Sequence, residues 1–426
     1  MNLTFAPTMA AAQAALAAVR PGDYARSRNS LDGATTRLSP YITHGFLTLP
    51  QVLAAVVERE PLEVQHLFVF ELGWREYFQH VWEHRGGAIF ESLHAGVLPD
   101  AAYADSMPAD LLNASTGVPV IDTAVRTLYA TGYLHNHARM WLASYVVHIR
   151  KLHWRAGAEW MYGHLLDGDL ASNHLSWQWV AGTGSSKPYL FNAANVARFA
   201  PAEWHSPGTV LDTSYDALER IAHDAHARVP TQALRRRRGD VIEEPARFAT
   251  PPPGLAPAFA TPNAQAVRGR DVWLVHPWAL GDLPADLAPN TLCVAAFTSQ
   301  IHAEHAWGAA RWNFVAARMA ALASVHWFGS AAELATALSA ARSVQTLASA
   351  HLGDHLSPQV ACRPVTRLFP TAATRCDSFS RWWSRATRQV RTLSDLPGLA
   401  LAAAAPAMPD GRGTDPAAHF NRKTLA

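Results

Sequence analysis

Between Thr116 and Pro201 the sequence interleaves Trp141, Trp154, Trp160, Trp177 and Trp179 with Asn136, Arg139, Asp167, Asp169 and Asn173. A stretch this apolar buries much of what it carries, and a buried polar group costs free energy unless it is paired. Arg139 and Asp167 suit a buried ion pair, since either charge alone would be expensive to bury. Asn136, Asp169 and Asn173 supply the amide and carboxylate groups that read the edge of a heteroaromatic ring. Asp169 and Asn173 stand four apart and share a face if the segment is helical. Trp154 and Trp177 can pass an electron if their rings lie near each other and near a redox group. Two readings stay open: a helical pocket for a flat polar cofactor, or a tryptophan-rich structural core.

Two upstream segments carry further candidates. Thr35, Thr36 and Ser39 around Arg37 form a hydroxyl-rich, cationic turn that can hold a phosphate or simply cap a helix. In LEVQHLFVFELGWREYFQHVWEHRG, Phe70, Trp74, Tyr77 and Phe78 make an aromatic face at helical spacing, which suits a core as well as a ligand wall. Glu71 and Arg75 fall at i and i+4, the spacing of a surface ion pair.

The elements that must position these residues are mostly helical in the first half. The pattern predicts helices over 8–20, within 49–85, and near 118–131, 135–153 and 157–166, with loops or short helices over 86–115. After Pro201 the character changes: Arg235 to Arg238 run consecutively and a proline-rich stretch follows, so 231–268 reads as a linker. From Asp271, VWLVHPWAL, TLCVAAFT, VHWFG and VQTLASA read as buried strands alternating with helices, which implies a parallel Rossmann-like sheet over 269–395. No glycine fingerprint follows the first strand, so dinucleotide binding in the usual mode is not supported there. The Ala/Pro-rich tail, 396–426, reads as loose.

The totals agree with two or three domains. The chain has 426 residues, 49% of them hydrophobic and 16% charged, with a net charge of +2. No apolar run is long enough to span a membrane. The three cysteines, Cys293, Cys362 and Cys376, lie far apart without a CxxC, which excludes a disulfide framework and a zinc site of usual spacing. No metal is expected, and the expected compartment is the cytoplasm.

Four segments together resemble the flavin-binding domain of the DNA photolyase/cryptochrome family: DGATTRLSPYITHG, ELGWREYF, TGVPVIDTAVRTLYATGYLHNHARM and DGDLASNHLSWQWVAG. The likeness covers about residues 1–205 and implies an all-helical domain, bounded here as 1–230, that holds FAD. By resemblance, Tyr24, Thr35, Thr36, Arg37, Leu38 and Ser39 hold the flavin phosphates. Asn136 and Arg139 line the pocket, with Arg139 paired to Asp167 beside the ring system. Asp169 contacts the ring edge and Asn173 faces flavin N5. Trp177 and Trp154 match the proximal and middle members of an electron-transfer chain. No tryptophan matches the distal member, and Tyr103 stands in the corresponding loop.

On the substrate side, Glu71, Trp74, Met140 and Trp179 match positions that contact a cyclobutane pyrimidine dimer, and Arg28 matches another arginine facing the lesion. The resemblance implies UV-damaged DNA as partner, with the dimer flipped from the duplex and split by an electron from light-excited reduced FAD. Three positions depart from that pattern. His137 stands where cyclobutane-repair enzymes usually carry an arginine and could donate a proton, and Phe68 and Phe70 replace what are commonly a tryptophan and an asparagine. The leading expectation is a light-driven repair lyase; the alternative is a cryptochrome-like blue-light sensor without repair. In the family an α/β antenna domain precedes the flavin domain. Here RDVWLVHPWALGDLP and WGAARWNFVAARMAAL resemble its first strand and following helix but come second, which implies a permuted order. No antenna chromophore is assigned.

Overall fold

The computed structural model describes residues 4–227 and 242–404. The first half is helical. Helices α1 (Met9–Ala17), α2 (Pro21–Ser27), α3 (Ser39–Thr43), α4 (Leu49–Val57) and α5 (Leu67–Arg85) lead into short turns and α6 (Ala109–Leu112). Then come α7 (Pro119–Thr131), α8 (Asn136–Ser144), α9 (Trp154–His164), α10 (Leu170–Ala181), α11 (Ala193–Phe199) and α12 (Tyr215–His223).

Local chemistry sets the ends that matter for the site. Thr48 and Gln51 close a capping box on α4, with Pro50 in its first turn. Helix α10 starts where the Asp169 carboxylate accepts the Ser172 N–H and stops at Gly182, whose φ of 79° suits glycine. The helix expected over 135–153 is shorter: α8 ends at Ser144, and Tyr145–Ile149 continues as a wider π-helical turn. There the His148 ring lies 2.9 Å from the Val180 carbonyl, and Lys151 reverses the chain at φ 54°.

The second half begins with a strap rather than a free linker. Part of the expected linker, including Arg235 to Arg238, lies outside the described residues. Residues 242–268, however, hold β1 (Arg247–Phe248) and α13 (Ala264–Val267). The sheet region comprises β2 (Asp271–Val275), β3 (Leu292–Thr298), α14 (Ser299–Glu304), β4 (Trp307–Gly308), α15 (Ala309–Leu322), β5 (Val325–Gly329), α16 (Ala331–Leu338), β6 (Ser343–Leu347) and β7 (Val360–Arg363). β1 pairs antiparallel with β4, and the Trp312 indole donates to the Phe248 carbonyl, so the proline-rich stretch is fastened to the sheet domain.

The five-stranded sheet has the order β5-β3-β2-β6-β7 and every pairing is parallel. Its central strands β2 and β3 are largely buried on both faces, as helix-covered parallel strands must be, while β6 and β7 keep exposed residues. The strand order reverses between β2 and β6, and the carboxyl ends there face the helical domain. The Leu280 N–H donates to the His44 carbonyl at 2.9 Å. Gly45, at φ 69°, lies so close that a Cβ on it would meet the Trp278 carbonyl oxygen at 2.6 Å.

Two boundaries need correction. The expected α/β domain, 269–395, ends its sheet at Arg363, and the chain then returns to the helical domain. Helix α17 (Phe379–Ala386) and then α18 (Pro397–Ala404) follow, the latter within the tail expected to be loose. Apolar burial fixes this return: Phe379, Trp382 and Trp383 pack on α5, and Leu396 and Leu399 are buried. The Glu76 carboxylate accepts the Leu368 and Phe369 N–H groups, and the His80 ring accepts the Cys376 N–H.

Candidate functional site

A cavity of about 550 Å³ opens in the helical domain, within the size range of cofactor sites. Its wall brings together Tyr24, Thr35, Thr36, Arg37, Leu38, Ser39, Asn136, Arg139, Asp167, Asp169, Asn173 and Trp177, residues that lie far apart along the chain. Arg28, Glu71, Trp74, His137, Met140 and Trp179 line the same cavity.

The Arg139–Asp167 pair forms as expected. Nη2 donates to both carboxylate oxygens, at 2.8 and 3.0 Å, and Nε donates to the Leu134 carbonyl at 2.7 Å. Burial pushes the Asp167 carboxyl up, but Arg139 and the Ser39 hydroxyl outweigh it and hold the pKa below its ordinary value. Asp169 caps α10, and its second oxygen accepts from the Gln79 amide at 3.1 Å. The Asn173 amide donates to the Ala158 carbonyl at 2.9 Å, which orients the side chain. Arg37 sits at φ 53°, and the Thr36 hydroxyl accepts the Leu38 N–H inside the turn. Leu38 is buried and Asn136 is exposed, so Asn136 lies toward the cavity's mouth.

The electron-transfer candidates divide by position. Trp177 reaches the cavity wall, and its ring packs so tightly over Gly157 that a Cβ there would collide with it. Trp154 is buried one helical turn before Gly157 and donates its indole N–H to Ser92. Tyr103 lies beyond it, connected through the His153 ring: the centroids are 5.6 Å apart for Trp154 and His153, and 6.4 Å for His153 and Tyr103. Of the three, only Trp177 lines the cavity.

The mouth differs from expectation in three respects. Glu71 pairs with Arg28 at 3.2 Å, not with Arg75 along the helix. Burial raises the Glu71 pKa, with Arg28 and Arg75 opposing. Trp74 presents one face to the cavity, because Phe379 stacks on it with centroids 4.0 Å apart and planes 9° apart. Phe70 also turns into this aromatic group, edge-on to Phe379 and Trp383. Finally, His137 stacks on Phe199 at 5.0 Å, and burial followed by Arg28 lowers its pKa. Its charged form is thereby disfavoured relative to a free imidazole. Its Nε2 is buried without a hydrogen-bond partner among the described residues. Met140 accepts from the Asn136 amide at 3.7 Å, and Trp179 is 38% exposed beside Tyr189.

The return of α17 onto α5 was not read from the sequence. The signal available was FSRWWSRA itself, whose aromatic residues recur at helical spacing in a segment assigned to the α/β domain.

Residues 68–206 match the FAD binding domain of DNA photolyase. Over 191 residues the chain is 38% identical to a deoxyribodipyrimidine photo-lyase of Thermus thermophilus, covering 43% of this chain and 44% of that one. It is 35% identical to the deoxyribodipyrimidine photo-lyase of Streptomyces griseus over 176 residues, 38% of this chain and 36% of that protein. Cryptochrome DASH of Idiomarina loihiensis is 33% identical over 171 residues, 38% of each chain. The solved Synechocystis sp. PCC6803 cryptochrome aligns over 46% of this chain and 44% of its own, with TM-score 0.42 and 27% identity. The chain spans about two fifths of the length of the curated relatives it matches.

Residues 68–206 thus match an FAD-binding domain of the DNA photolyase kind, and they are similar to both photolyase and cryptochrome sequences. The cofactor is FAD. The cavity fits that group: a hydroxyl-rich turn with an arginine lies on its wall together with a charge pair and amide groups suited to a ring edge. The crevice at the carboxyl ends of the sheet is a different matter. Parallel sheets bind ligands there, and Leu274, His276, Thr298 and Leu352 line a small cavity of about 10 Å³.

Proposed function

We propose that this protein is a blue-light-driven, FAD-dependent lyase that splits UV-induced pyrimidine dimers in DNA. The observation that carries this reading is a single cavity with two kinds of wall. Phosphate- and ring-binding candidates from Tyr24 to Asn173 line it together with Glu71, Trp74, Met140 and Trp179.

Bound FAD supplies light absorption and a transferable electron. The chain's own residues do the rest. Trp74 and Trp179 offer ring faces to flipped bases, each stack contributing on the order of 1–3 kcal/mol. Glu71 hydrogen-bonds the base edges, and its raised pKa lets the carboxyl hold a proton more readily than an exposed glutamate does. Arg28 stands beside it for the flanking phosphate or for charge developing on the bases. Asn173 and Asp169 hold the ring edge of the cofactor, and Arg139 with Asp167 fixes the wall beside it. Trp177, Trp154 and Tyr103 form the route by which the cofactor is reduced.

A second reading, a cryptochrome-like receptor without repair activity, draws on specific observations. His137 stacks on Phe199, and Phe70 packs into the aromatic group around Phe379. Illumination of the reduced protein with cyclobutane-dimer and (6-4) oligonucleotides, single-stranded and duplex, separates the two. Light-dependent loss of either lesion supports the lyase. No loss in any of the four substrates refutes it in favour of the receptor.

A further inference from the structure

The turn Asp167–Gly168–Asp169 carries both carboxylates assigned to the cofactor, and the α/β domain reaches it twice. From α15, the Arg311 guanidinium donates Nη2–H to the Gly168 carbonyl. From the loop after β6, the His351 ring brings Nε2 within 3.4 Å of both the Asp169 carboxylate and the Leu170 N–H.

Arg311 is 1% exposed. Its guanidinium lies 3.9 Å from the centroid of the Trp307 ring and 4.8 Å from that of Tyr162, so it is held in a cation–π sandwich. Nε and Nη1 have no hydrogen-bond partner among the described residues. A guanidinium keeps its charge in proteins and is costly to bury, so compensation must come from nearby negative charge. Burial lowers its pKa, while Tyr162, Asp167 and Asp169 oppose that shift.

Gly168 records how close this approach is. A Cβ on it would lie 2.6 Å from Arg311 Nη1 and 2.8 Å from the Tyr162 carbonyl oxygen. The glycine between the two aspartates is therefore required by the arginine that packs beneath it. His351 is likewise fixed, stacked on Trp278 with centroids 4.4 Å apart and edge-on to Trp82. Burial pulls its pKa down to about 3 against the pull of Asp169, so the ring is neutral. With Nδ1 protonated, toward the Ser349 hydroxyl, Nε2 accepts the Leu170 N–H; in the other tautomer Nε2–H faces Asp169.

We propose that Arg311 and His351 are positioning residues of the flavin site, holding the Asp167–Asp169 turn from beneath, so that the α/β domain is a structural part of the cofactor pocket. This rests on the assignment of Asp167 and Asp169 to the flavin. It gives the second domain a task that needs no chromophore of its own, and it places a buried positive charge against the turn that meets the cofactor.

The test uses the full-length protein stripped of FAD and reconstituted by titration, with the flavin midpoint potential measured by spectroelectrochemistry. Arg311→Met is expected to weaken FAD binding at least tenfold and to lower the midpoint potential, since a positive charge that favours the reduced cofactor is lost. His351→Phe is expected to weaken binding several-fold. Glu76→Gln, which loosens the return segment away from the turn, should leave both readings at the wild-type value. If Arg311→Met does not fold by near-ultraviolet circular dichroism, Arg311→Lys and His351→Phe carry the test, the lysine restoring charge but not the fork. Asp169→Asn separates the two levels. Wild-type FAD affinity in Asp169→Asn overturns the site assignment. Weakened affinity there, with unchanged affinity and potential in the folded Arg311 and His351 variants, overturns the role proposed for the α/β domain.

Discussion

Replacing Arg139 by methionine isolates the charge pair on which the cavity wall depends. The Asp167 side chain is 3% exposed and receives two hydrogen bonds from one guanidinium nitrogen, so the pair is desolvated on the acidic side. At a charge separation near 4 Å and an effective dielectric constant of 20, the attraction is about 4 kcal/mol. Removing one partner of such a pair typically costs about 3–5 kcal/mol, because the remaining charge stays buried. Arg139→Met should therefore lower the stability of the FAD-free protein by about 3 kcal/mol at pH 8, read as a shift in the urea midpoint with unchanged slope. The pH dependence is the sharper part. In the wild type Arg139 holds the Asp167 pKa below its unfolded value, so the stability this provides is present above the unfolded pKa and is lost as pH falls through the folded one. In the variant burial acts without that opposition, Asp167 takes up a proton more readily, and the deficit relative to wild type should shrink from pH 8 to pH 5. A deficit under 1 kcal/mol, or one that does not change with pH, would refute the reasoning.

The same logic gives other tests. Burial raises Glu76 to about 7 despite its two N–H donors, so the stability from its protonated form is full below about pH 4.5 and is lost as pH rises through 7. Glu76→Gln should flatten the melting temperature across that range, and an unchanged pH profile would count against a titrating Glu76. Trp177→Phe should slow flavin photoreduction strongly and Trp154→Phe to a similar degree, measured by absorbance under blue light; a wild-type rate in either removes that residue from the route. Phe379 is 5% exposed and stacks on Trp74, so Phe379→Ala should cost about 3–5 kcal/mol in chemical denaturation. Glu71→Ala should lower the repair yield per photon while FAD stays bound, and loss of FAD would show that Glu71 belongs to the cofactor wall.

What the sequence revealed follows from the range of the forces involved. The four-residue spacing of Asp169 and Asn173 and the alternation from Asp271 onward are local signals, and the elements they imply are present. Arg139 with Asp167 was legible because a buried charge needs a partner, whatever the fold. The return of Phe379, Trp382 and Trp383 onto α5 was not, because nothing within their own segment names the surface they cover. The same holds for Arg28, which takes Glu71 across two helices although Arg75 stands one turn away on the same helix. Arg311 was not singled out in the sequence, because its reach to Gly168 depends on how two domains dock.

The two contacts at the cavity mouth bear differently on substrate access. The Arg28 and Glu71 side chains are 27% and 32% exposed, and a pair this wet contributes about 0–1 kcal/mol. A base edge that offers Glu71 a hydrogen bond, with a phosphate for Arg28, can displace that pair at little cost. Trp74 and Phe379 cannot part so cheaply, because Phe379 is buried against Phe70, Tyr77 and Trp383 as well. The stack is a fixed wall that leaves Trp74 one face toward the cavity, as a single stacked base requires. The mouth thus combines a labile polar partner with a rigid aromatic one, the arrangement that the proposed lyase reading needs. An Arg28→Ala variant with unchanged affinity for dimer-containing DNA and an unchanged salt dependence would show that the labile pair does not open toward substrate.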